Sequence, residues 1–204
     1  FDHNTWINHW GRSGPTNVLY AFQNVQITNN LMVNPRISGN EDYTLYYHWW
    51  WVNDDTLASQ AKYYGPNGEF VWLGAYYFTD STNTVVNFKN NNIYTEQSVK
   101  DIWATSLHEI TEPHVYNNEM KMAMVDTNNT YFREELTFAS RPAPPLDLIQ
   151  LYVTHMDTMA GEDVQPDAGI KLFDGIVSNF DDAPFEDLDM SYSTDSQSYT
   201  AGDG

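Results

Sequence analysis

Ten residues, Tyr43 to Val52, alternate on a period of two and carry aromatic rings on both sides of the alternation. Tyr43, Leu45, Tyr47, Trp49 and Trp51 share one face of such a strand, and Thr44, Tyr46, His48, Trp50 and Val52 share the other. A strand with one solvated face alternates apolar with charged residues. This one must therefore be covered on both sides, or hold one face to a core and the other to a cavity. Glu69 to Phe78 repeats the pattern, with Val71, Leu73, Ala75 and Tyr77 opposing Phe70, Trp72, Tyr76 and Phe78. These two segments are the expected central strands.

The turn chemistry around them points to antiparallel pairing. Tyr64-Gly65-Pro66-Asn67-Gly68-Glu69 presets a turn through Pro66 and Gly68, so residues 58–64 and 69–78 are expected to form a hairpin. A second hairpin is expected from Glu119–Asp126 and Tyr131–Ala139 across Thr127-Asn128-Asn129-Thr130, with Met120, Met122 and Met124 on a soft inner face. Earlier strands are expected at Val18–Ile27 and Leu31–Ile37, separated by Thr28-Asn29-Asn30, and a short one at Thr84–Phe88. One helix interrupts them: Thr95 is its N-cap, Val99, Ile102, Trp103, Leu107 and Ile110 recur at helical spacing, and Pro113 ends it. Leu146–Met156 is ambiguous by period, and its Ile, Tyr, Val and Thr content favours a last strand. No internal repeat is visible. The expected fold is mainly β, an antiparallel meander of about eight strands closing into a barrel or sandwich, with one interrupting helix.

Charge divides the chain in two. Residues 161–204 carry 11 acidic side chains and one lysine, more than half of the whole-chain net charge of −19. The expected division is a β domain over 1–160 and an acidic amphipathic tail over 161–204, the latter a candidate docking segment for a protein partner. Ile170, Phe173, Ile176, Val177 and Phe180 predict a short helix in that tail, with Asp167 as its cap. A field of this sign, with only 9 Lys and Arg in 204 residues, makes nucleic acid a poor partner. No run of about 18 apolar residues exists to span a bilayer. The absence of cysteine removes disulfides, thiolate metal sites and thiol nucleophiles together. A first residue that is Phe1 suggests a processed product, secreted or in an organelle lumen. The sequon Asn128-Asn129-Thr130 lies in a polar loop, in a chain with 20 Asn.

Two clusters could carry chemistry. His108, Glu112 and His114 offer imidazole and carboxylate ligands to a divalent metal, although Pro113 breaks the one-turn spacing of a helical two-histidine site. The second is the aromatic supply. His48 with Tyr47, Trp49, Trp51, Trp72 and Tyr76 are candidates to line a ligand cavity, joined by Glu134 as an inward carboxylate whose pKa burial would raise, and by His155. Nucleophile elbows and phosphate loops are absent. The expected function is a non-catalytic or weakly catalytic binding protein for a small hydrophobic or aromatic ligand, with no cofactor identified. The alternatives are a neutral-glycan binder, an accessory subunit docking through 161–204, and a His- or metal-dependent enzyme.

Overall fold

The computed structural model describes residues 2–8, 23–37, 39, 83–107, 110–112, 114–116, 118–158 and 188–202. Their elements, in chain order, are β1 (Thr5–Ile7), β2 (Asn24–Thr28), β3 (Leu31–Val33), β4 (Val85–Lys89), β5 (Asn91–Tyr94), α1 (Gln97–Trp103) and α2 (Asn118–Ala123). There follow β6 (Tyr131–Phe132), β7 (Phe138–Ser140), α3 (Leu146–Thr158), β8 (Asp189–Tyr192) and α4 (Gln197–Gly202).

The pairing overturns the antiparallel meander. β1, β3, β5 and β6 stack in that order, every pair parallel, and β2 pairs with β4, again parallel. Only β7 and β8 are antiparallel, and none of these sheets closes into a barrel among the described residues. β2 and β3 are consecutive, yet they lie in different sheets, as do β4 and β5. The chain thus turns a corner between two strands and returns much later to stack a similar corner on the first, as in a solenoid.

Asparagine makes the corners. His3, Asn29, Asn90 and Asn129 all have φ between 52° and 56°, the left-handed region that Asn tolerates better than other residues bearing a Cβ. Their backbones bond along the stack: Asn29 N–H donates to the Lys89 carbonyl at 3.1 Å and Asn90 N–H to that of Asn129 at 3.0 Å. The next residue turns its amide inward. Asn4 Nδ2 donates to Asn30 Oδ1 at 3.1 Å, and Asn30 Nδ2 to Asn91 Oδ1 at 2.8 Å. Asn91 Nδ2 then reaches the carbonyls of Ile27 and Thr130. Asn30 and Asn91 are buried, so this ladder works where water does not compete.

Alternation divides the apolar residues between two sides of the sheets. Val25, Ile27, Val86 and Phe88 point inward with Met32 and Ile93, and Met120 and Ala123 of α2 close the same cluster. Leu31, Val33 and Tyr94 point the other way, onto Leu136, with Phe138 and Tyr192 of the β7–β8 ribbon beside them. A third cluster joins α1 to α3 through Val99, Trp103, Ile149 and Val153, and Trp103 Nε1 donates to the Ile37 carbonyl at 3.0 Å. Gly39, at φ 69°, lies against Trp103 and Ile110, where any Cβ would collide with the Ile110 side chain.

Three expected strands are close to those found: β2 ends Val18–Ile27, β3 opens Leu31–Ile37, and β4 covers most of Thr84–Phe88. Two others are helices. Residues 118–123 form α2 because Met120 and Ala123, three apart, meet the core while Met122 is exposed. Leu146–Thr158 is helical because Ile149 and Val153, four apart, share the buried face. The expected second hairpin is therefore absent, and its later strand is split into β6 and β7, in different sheets. The interrupting helix is shorter than predicted, running Gln97–Trp103 with Glu96 rather than Thr95 at its N-cap. The hairpin over 58–78, the strand over 43–52 and the tail helix over 170–180 lie outside the described residues.

Candidate functional site

Two sheet faces point away from the main core, and they are treated differently. The outer face of β3 and β5 is covered by residues from the C-terminal third of the chain. The outer face of β2 and β4 is open: Asn24 and Gln26 are exposed, Thr28, Asn87 and Lys89 are half-buried, and Val85 is exposed. Every residue between them in sequence points inward, so the alternation of Val25, Ile27, Val86 and Phe88 sets this outward row.

The register puts Gln26 beside Asn87, and Asn87 Nδ2 donates to Gln26 Oε1 at 2.8 Å. In the next rung Val86 bridges to Met124, and Val125 N–H donates to the Val86 carbonyl at 2.9 Å. Met124 packs on the core, and Val125, which follows it, is exposed. At one border Lys89 Nζ stands 3.5 Å from the Asp126 carboxylate. Backbone N–H donation from Asn128 holds Asp126 below the usual carboxylate range. The result is a strip of amides with two valines, bordered by the Lys89–Asp126 pair and by Asp2, which accepts from the Thr28 hydroxyl at 2.8 Å.

The predicted residues are distributed differently. His48, Tyr47, Trp49, Trp51, Trp72 and Tyr76 lie outside the described residues, as does His108. Glu112 is paired with Lys100 at 2.6 Å and with Arg133, and His114 is half-buried. Among the described residues no group of three His, Asp or Glu side chains is arranged to hold a metal ion. His155 falls on α3, a helix and not a closing strand.

Glu134 differs most from expectation. Desolvation pushes its carboxyl up, but N–H donation from Gln197 and Ser198 and the Ser198 hydroxyl outweigh it, and the net shift is downward. Its oxygens accept from Gln197 N at 2.9 Å and Ser198 N at 2.8 Å, so it caps α4.

The open strip is built from polar residues rather than from the aromatic candidates. The polar members of Val18–Ile27 and Thr84–Phe88, namely Asn24, Gln26 and Asn87, were the available signal. A further polar group holds the opposite ends of β3 and β5. Glu96 accepts from Asn34 Nδ2 at 2.7 Å and pairs with Arg141, and Asn34 also donates to Asn8 Oδ1 at 2.7 Å. Each member has its partners within the fold, which marks it as a structural clasp. No helix among the described residues is long and apolar enough to cross a membrane. Compared with known proteins, the chain matches no family model, no curated protein and no solved structure.

Proposed function

We propose that the chain is a non-catalytic binding protein that takes a neutral glycan on the open face of β2 and β4. The observation that carries this reading is the outward row Asn24, Gln26 and Asn87, amides side by side on the paired strands β2 and β4. Amides both donate and accept, as sugar hydroxyls do, and the exposed Val85 and Val125 offer apolar contact to the C–H faces of a pyranose ring. The net charge of −19 favours an uncharged glycan over an acidic one.

Calorimetric titration with neutral oligosaccharides (cello-, xylo- and manno-hexaose) tests the proposal. One of them is expected to bind, and Gln26→Ala combined with Asn87→Ala is expected to weaken it at least tenfold without altering the melting temperature by more than a few degrees. Absence of heat with all three at millimolar concentration, or undiminished binding by the double variant, overturns it.

A further inference from the structure

Residues 188–202 are attached to the fold in an unusual way. Among the described residues β8 pairs with β7 alone, Phe138 opposite Tyr192 and Ser140 opposite Asp189, and a two-stranded ribbon is marginal by itself. Only one of its side chains, Tyr192, joins the apolar cluster over β3 and β5, set edge-on to Phe138 at 5.8 Å between ring centroids. Leu136 and Phe138 come from the preceding part of the chain. The segment buries no large apolar side chain completely: Leu188, Met190 and Tyr192 are half-buried, and Tyr199 is exposed.

Polar contacts hold the rest. α4 has six residues, Gln-Ser-Tyr-Thr-Ala-Gly, too few to pay for helix nucleation in water. Its first amides are satisfied from two sources. Ser196 Oγ accepts from Tyr199 N at 3.1 Å, while Glu134 accepts from the Gln197 and Ser198 amides and from Ser198 Oγ at 3.0 Å. Asn92 joins Glu134 to the same point. Its Nδ2 donates to Ser198 Oγ at 2.7 Å and to the Glu134 carbonyl at 2.8 Å, and its Oδ1 accepts from Glu134 N at 2.9 Å. Asn90 Nδ2 reaches the Ala201 carbonyl at 3.5 Å. Removing α4 from this clasp removes the partners that make it helical.

We propose that Asn92 and Glu134 form a docking site for the chain's own C-terminal segment, and that residues 188–202 are a latch that folds as it docks and opens as a unit without unfolding the stacked rungs. Opening lifts Tyr192 from the ring of Phe138 and frees the edge of β7. The distribution of contacts favours it: low-stability units are those with few buried apolar groups and exposed hydrogen bonds.

Hydrogen exchange of the intact chain, followed by mass spectrometry, is the test. In the wild type, amides of 189–202 are expected to exchange at least tenfold faster than those of 86–94. Glu134→Gln and, separately, Ser198→Ala are expected to accelerate 189–202 a further several-fold and leave 25–33 and 86–94 unchanged. Equal protection of 189–202 and 86–94 in the wild type overturns the latch, because the segment then opens only with the core. Unchanged exchange of 189–202 in both variants overturns the role of the clasp. If Glu134→Gln speeds exchange everywhere while Ser198→Ala remains local, the latch stands and Glu134 also supports the rungs.

Discussion

Asn91 shows how much one side chain does in this fold. Its Oδ1 accepts from both the backbone and the side chain of Asn30, and its Nδ2 donates to Ile27 and Thr130, so one buried amide ties three rungs. Asn91→Ala removes these bonds in a place closed to water, and each group left unpaired costs about 1–3 kcal/mol. A loss of roughly 2–4 kcal/mol in chemical denaturation is expected, against less than ~0.5 kcal/mol for Asn87→Ala on the outward, half-buried side of β4. The neighbouring corner obeys a different rule. Asn90 sits at φ 56°, so Asn90→Gly is expected to be tolerated, whereas Asn90→Val should cost about 1–2 kcal/mol through its Cβ. Glu134 adds a pH dependence. Its pKa is lower in the folded chain than in the unfolded one, so its contribution is present above the ordinary carboxylate range and lost as pH falls through the lowered value. Protection of the Gln197 and Ser198 amides, followed by NMR from neutral pH downward, should hold until that range is passed and then fall, with no such step in Glu134→Gln.

At the scale of the element, α2 gives the sharpest test of how this sequence is decoded. A strand over Glu119–Asp126 puts Met120 and Met122 on one face, whereas the helix buries Met120 and leaves Met122 mostly in solvent. Met122→Lys is expected to change stability by less than ~0.5 kcal/mol, and Met120→Ala to cost about 2–5 kcal/mol. Similar losses at both positions would restore the strand. The positions of β2 and β4 are legible because Val25 and Ile27, or Val86 and Phe88, alternate with polar residues whatever their partners, and that of β3 because Leu31-Met32-Val33 is a short apolar run after a turn doublet. That same alternation is silent about pairing direction. Doublets such as Asn29-Asn30 suit a hairpin as well as a corner, so local chemistry alone led to antiparallel strands. The rungs also hide their repetition: equivalent asparagine-ladder positions are 26, 61 and 39 residues apart, with no fixed period to find. α3 departs from the expected strand because Ile149, Tyr152, Val153 and Thr154 favour strands intrinsically, while packing on Val99 and Trp103 selects the helix. Of the candidate site, Glu134 is expected from its strand position to be an inward carboxylate, and it serves a helix terminus instead. The amide strip needed the register of β2 and β4, which a single sequence does not carry.

For the whole molecule, 28 acidic side chains against 9 basic ones make self-repulsion a general term in stability. Among the described residues the ion pairs Lys100–Glu112–Arg133, Glu96–Arg141 and Lys89–Asp126 engage four cations. Screening shortens from about 30 Å at 0.01 M salt to about 8 Å at 0.15 M. The melting temperature is therefore expected to rise as sodium chloride is added over that range. A fall in scanning calorimetry would instead assign the dominant electrostatic term to the ion pairs. The asparagine ladder has a further consequence, for how such a molecule changes length over evolutionary time. Each turn presents an amide acceptor to one neighbour and an amide donor to the other, as a tile carries matching edges. Duplication of a whole turn, corner doublet included, inserts a tile whose edges already fit. Insertions within the connections leave the seam untouched, and the unequal spacing of the existing turns is the pattern that this tolerance would leave behind.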